Sequence, residues 1–168
     1  MICNQNMKKH LLKLKRLRAI ETRVDLCDFE NIVLPNIYKK VNLNGQAYYC
    51  INNFCGLNRN GIPKYSDTEL TDFEWDGNEI YICINNEKEI YPVLKVALMA
   101  VNSWKNILKY KFPNVEFDIV MSISDGIEFE VAPSATLRVY AIRNEYYYIE
   151  LDKIEEFKQP ILIERVFQ

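Results

Sequence analysis

Histidine is nearly missing from this chain: His10 stands alone among 168 residues. A single imidazole excludes sites built on several, such as a two-histidine helical zinc motif or a three-histidine cage. Glycine is scarce as well, at five, with only Gly56 and Gly61 close together, so phosphate-cradling glycine loops are excluded. No Gly-x-Ser-x-Gly elbow exists among Ser66, Ser103, Ser122, Ser124 and Ser134. Nor does any stretch approach the roughly 18 consecutive apolar residues of a membrane span. The longest run in the strongest helix candidate is Val96 to Val101, which suits a buried helix. Residues 11–24 alternate Leu with Lys and Arg, unlike the apolar core of a secretory signal.

The five cysteines (Cys3, Cys27, Cys50, Cys55, Cys83) are an odd number in a chain long enough to build a core without staples. They read as reduced thiols of a cytoplasmic protein. Cys50 and Cys55 are separated by four residues and have no second pair, so a zinc ribbon is not expected. Asp72, Glu74, Asp76 and Gly77 mimic the start of a calcium loop. That loop then needs a bidentate Glu where Cys83 stands, and an apolar residue where Glu79 stands. Neither a metal nor a cofactor is expected.

What is present is ordinary globular material. Apolar residues make up 49% and charged residues 26%, which fits a single domain spanning residues 1–168. Seventeen Asn and a heavy use of Ile, Lys and Tyr fit an AT-rich bacterial genome. Met7, Leu11, Leu14 and Leu17 form one stripe of a basic amphipathic helix over residues 7–24, opposite Lys8, Lys9, Lys13, Lys15, Arg16, Arg18 and Arg23. A second helix is expected over 92–111, opened by Pro92 and closed by Pro113, with Lys95, Asn102, Asn106 and Lys109 on one narrow polar strip.

Ala47–Ile51 is the best strand of the middle region, and Asp76-Gly77 reads as a hairpin turn between Phe73–Trp75 and Glu79–Ile84. Phe117, Ile119, Met121 and Ile123 alternate with Glu116, Asp118, Val120 and Ser122, the pattern of a half-buried strand. Ile127/Phe129/Val131, Leu137–Ile142 and Tyr146–Leu151 complete the set. The expected fold is α+β: an antiparallel β-meander sheet packed against a long core helix, with an N-terminal basic amphipathic helix.

The net charge of −2 is a cancellation. Residues 1–24 hold seven Lys/Arg against Glu21, or +6, and the remainder holds 14 against 22 acids, or −8. Within 66–90, eight acids meet only Lys88, and Phe73, Trp75 and Tyr81 are interleaved with them. Acids steer a basic partner and aromatics anchor it. The expected function is therefore non-enzymatic protein binding. Its most concrete form is an immunity-type protein that neutralises a basic, nuclease-like toxin through Asp72, Glu74, Trp75, Asp76 and Glu79.

Two other classes compete. One is an RNA-binding or RNA-processing protein using Lys13, Lys15, Arg16 and Arg18. The other is a carboxylate-based enzyme, with Glu128 and Glu130 sharing a strand face. The Leu stripe needs something to pack on, which favours docking of the basic helix against the chain's own acidic stretch. No catalytic residue is assigned.

Overall fold

A computed structural model describes residues 1–20, 34–51, 65–84, 87–126 and 131–167, with only the backbone of residues 18–20. In chain order the elements are β1 (Ile2–Cys3), α1 (Gln5–Ile20), β2 (Ile37–Val41), β3 (Ala47–Ile51), α2 (Asp67–Gly77), β4 (Glu79–Cys83), α3 (Ile90–Lys111), β5 (Phe117–Ser124), β6 (Ser134–Ala141), a 3-10 helix (Leu151–Glu156) and β7 (Ile161–Val166). Five strands form one antiparallel sheet in the order β1-β7-β5-β6-β4, and β2 pairs with β3 in a separate hairpin.

The long helix lies on this sheet as its apolar pattern requires. Val93, Leu94, Ala97, Val101, Trp104 and Leu108 of α3 are at most 1% exposed. They join Phe117, Ile119 and Met121 of β5 and Leu137 and Val139 of β6 in the main core. Each large aliphatic side chain buried this way contributes roughly 1.5–3 kcal/mol. The indole of Trp104 donates to the carbonyl of Pro35 at 3.3 Å, so its one polar atom is also satisfied.

The basic helix docks, as its stripe predicts, but not on the acidic stretch. Met7 and Leu14 of α1 enter the main core, with Leu11 packed against it. Asn4 fixes the helix start: its Oδ1 accepts from the amides of Met7 at 3.0 Å and Ile161 at 3.1 Å. Lys8 faces Glu155 of the 3-10 helix at 3.9 Å, and Lys13 lies over the Tyr91 ring of α3 at 4.8 Å. Residues 21–24 of the expected helix lie outside the described residues.

Three expectations are corrected. Phe73–Trp75 is not a hairpin strand but part of α2, while Glu79–Cys83 is a strand. Ser66 and Glu69 form a reciprocal capping box, and Asp67 and Glu69 add negative charge to the first turn. Helical spacing then puts Leu70, Thr71, Glu74 and Asn78 on one inward face, each at most 1% exposed.

The second correction is at Tyr146–Leu151. After a tight turn with positive φ at Asn144 and Glu145, this segment crosses the sheet rather than pairing with it, and the place beside β5 goes to β7, which has β1 on its other side. The third concerns β5, which is buried on both faces. Val120, Tyr140, Ile161 and Ile163 pack under Ile149, Ile154 and Trp75 in a second cluster. The expected Ile127/Phe129 strand falls at 127–130, outside the described residues. Among the described residues, no helix is long and apolar enough to cross a membrane.

Candidate functional site

The acidic segment is the natural place to look, and the fold has already used most of it. Glu74, on the inward face of α2, is 1% exposed. Its Oε1 accepts from the Tyr49 amide at 2.7 Å and its Oε2 from the Ala141 amide at 2.6 Å. The Arg143 guanidinium donates to both oxygens, and also to the carbonyls of Ala47 at 3.0 Å and Ala141 at 3.1 Å. One turn on, Asn78 accepts from Ile51 at 2.9 Å and donates to the carbonyls of Tyr49 at 2.8 Å and Val139 at 3.0 Å.

Together Glu74, Asn78 and Arg143 stand in for a missing strand. They satisfy the outer edge of β3 and join it to the end of β6, so the hairpin and the main sheet become one body. Burial pushes the Glu74 carboxyl up, while Arg143 and the two amides oppose that push. This carboxylate is a fold element and does not reach a partner surface.

The other predicted partner-binding residues lie nearer the solvent. Asp72 is half-buried and accepts from the Tyr146 hydroxyl at 3.0 Å. Asp76 is exposed. Glu79 is exposed on β4 and paired with Arg138, its cross-strand neighbour on β6. Trp75 stacks on Tyr148 at 4.0 Å with a 14° interplanar angle, and Arg138 lies over its ring at 4.9 Å. Asp67, outside the predicted set, accepts from Gln46 at 2.9 Å and Asn144 at 2.6 Å. The structure thus brings Trp75 and Glu79 together through Arg138, leaves Asp76 exposed on α2 and withdraws Glu74 from the surface.

A second polar row went unnoticed in the sequence. Tyr140, Asp118 and Arg165 sit directly opposite one another across β6, β5 and β7. Arg165 meets Asp118 through Nε at 2.9 Å and Nη2 at 3.0 Å, and Tyr140 donates to it at 3.1 Å. Burial and the neighbouring Asp118 raise the Tyr140 hydroxyl well above its ordinary range. Tyr147 covers the guanidinium, with 4.2 Å between Arg165 Cζ and the ring centroid. The bidentate pair is closed over and holds three strands in register.

Comparison of the chain with known protein families, curated proteins and solved structures finds no match.

For acid–base chemistry, two carboxylates would have to converge on a cleft. Among the described residues, the buried carboxylates Glu74, Asp118 and Glu164 each face a structural cation instead, Arg143, Arg165 and Lys105, and the expected pair Glu128 and Glu130 lies outside the described residues. An open cleft of about 440 Å3 has Glu87, Lys88 and Asp125 at its rim, none of them buried. No group of three or more His, Cys, Asp or Glu suited to a metal occurs among the described residues. Cys3 and Cys83 are free thiols, but Cys50, buried in β3, is disulfide-bonded. That corrects the reading of five reduced thiols and removes its support for a cytoplasmic setting.

Of the predicted nucleic-acid set, Lys13, Lys15 and Arg16 are exposed on α1, and the Arg18 side chain lies outside the described residues. The signal for α2 was legible: Ser66-x-x-Glu69 before Leu70 is a helix start. Nothing local announces Arg143, Asp118 or Arg165, whose partners are set by register and fold.

Proposed function

We propose that this chain is a non-enzymatic protein-binding protein that contacts a basic partner through the open part of the sheet face opposite α3. One observation carries the reading. Tyr81 is 61% exposed on β4, the last strand of the sheet, on the same side as Glu79 and Cys83 and beyond the cover provided by Trp75 and Tyr148. An exposed aromatic on a rigid strand, beside a stacked Trp75–Tyr148 pair and the carboxylates of Asp76 and Glu79, has the make-up of an interface anchor with an acidic rim. Strand residues lose little freedom on binding, which favours affinity.

Neutralisation of a basic, nuclease-like toxin is the most concrete form of this proposal, because acids flanking an aromatic anchor match a cationic cleft. The test is co-expression with a basic nuclease domain encoded beside this chain, scored by growth and by affinity of the purified pair. The paired changes Asp76→Lys and Tyr81→Ala should weaken binding at least tenfold and abolish protection. Unchanged affinity and growth would overturn the proposal. Glu74 is left out of the test because its replacement would disturb the fold.

A further inference from the structure

The sheet face covered by α1 and α3 carries the opposite charge, and far more uniformly than the sequence count implied. The two helices, residues 5–20 and 90–111, contain ten Lys/Arg and not one Asp or Glu. In a chain with 23 acids among 168 residues, segments of this combined length would carry about five at average usage. Four of the ten, the lysines of α3, are spread over an otherwise apolar helix and form no charge run in the sequence.

The fold sets the two helices side by side and antiparallel. Glu164 binds both the Met1 ammonium at 3.1 Å and Lys105, placing the start of α1 beside the second half of α3. One helix length away, Lys13 lies over Tyr91 at 4.8 Å and His10 sits 6.2 Å from the same ring. Met7 and Leu14 point into the shared core, so the cationic side of α1 must face outward. Lys9, Lys13, Lys15 and Arg16 of α1 and Lys109 and Lys111 of α3 are exposed. The same helix α3 presents exposed Asn102, Ser103, Asn106 and Tyr110, side chains able to donate to phosphate oxygens. The 22 residues of α3 span roughly 33 Å, close to one turn of a duplex.

We infer that the outer side of the α1–α3 layer binds the phosphodiester backbone of a nucleic acid. Among the described residues, the carboxylates near it stand at its margins: Glu155 beside Lys8, Glu164 beneath Lys105, Asp125 toward His10, and Glu87 and Glu89 ahead of α3. They leave the central strip positive. A lipid surface fits less well, because an interfacial helix needs a continuous apolar side to insert: α1 has committed Met7 and Leu14 to the core, and the exposed Leu12, Met99 and Tyr110 stand singly among polar and cationic side chains. The opposite face, with Asp76 and Glu79, repels the same polyanion and so orients it. This inference does not depend on the protein-binding proposal, whose residues lie across the sheet.

The test measures anisotropy of a short labelled single-stranded RNA and of a short labelled DNA duplex with the full chain. Four to five phosphate contacts predict a loss of affinity on the order of a hundredfold between about 50 and about 200 mM salt. The variant K9Q/K13Q/K15Q/R16Q should bind at least tenfold more weakly with a shallower salt dependence. K109Q/K111Q should lose several-fold, and the Asp76→Lys, Tyr81→Ala protein should not lose affinity. Circular dichroism and thermal melting of each variant confirm that it is folded. Binding of either polymer supports the backbone assignment, and the tighter one names its source. No binding at the lower salt, binding indifferent to the α1 substitutions, or binding only to vesicles containing phosphatidylserine would overturn it. Indifference to K109Q/K111Q alone would overturn the part assigned to α3.

Discussion

On the helical face, cations are left in water and the helices are held by apolar packing: Met7, Leu14 and the buried side of α3 do the fixing, while Lys9, Lys15 and Arg16 stand clear. Across the sheet, charge is taken inside and made structural. Glu74 meets Arg143 and Asp118 meets Arg165, with Trp75, Tyr147 and Tyr148 stacked over the cations or each other. The same residue classes therefore do different work on the two faces. Exposed charges cost little to remove and shape the surroundings by their field, whereas a buried charge whose partner is removed is expensive.

The largest break in this comparison should come from Arg143→Met. It strands the Glu74 carboxylate between β3 and β6, and urea unfolding should report a loss of about 3–5 kcal/mol. A loss within the ±0.5 kcal/mol typical of surface substitutions would mean that the Glu74–Asn78–Arg143 seam does not hold the hairpin to the sheet. Next in size is Leu14→Ala on α1, a cavity in the main core worth about 2–4 kcal/mol by the same measurement. If α1 were free of the domain, that change would leave the midpoint where it was.

The smallest effect sharpens the comparison through pH. Burial works to raise Glu164, but Lys105 and the Met1 ammonium outweigh it and hold the carboxyl below its ordinary value of 4.5. A carboxyl held down in the folded state favours folding when ionised. Its contribution is present above about pH 4.5 and is lost as pH falls through the lower folded value. Wild type should therefore exceed Glu164→Gln in stability at neutral pH, and the gap should close on acidification. A gap that persisted or widened in acid would show that the ion pair contributes nothing.

Much of the architecture was legible because it rests on periodicity. The apolar run from Val96 to Val101 made α3, and the alternation from Phe117 to Ile123 made β5. The α2 helix was misread because Phe73 and Trp75 alternate with acids as a strand would, while the capping box that overrides that pattern sits ahead of them at Ser66. The acidic candidate site was legible only as a count. Which carboxylates are surface and which are fold depends on Tyr49, Ala141 and Arg143, lying between 25 and 69 residues away from Glu74 in the chain.

The scarcity of histidine and glycine, the missing zinc and nucleophile spacings, the long apolar helix and the split of charge along the chain were all settled by the sequence alone. They depend on which residues are present and on their local spacing. Tertiary structure decided the rest. It drew Glu74 and Asp118 inside and closed Trp75 between Tyr148 and Arg138. It also set the cations of α3 beside those of α1, two helices that contain no Asp or Glu. Electrostatics and burial act through space, and neither distance can be read along the chain.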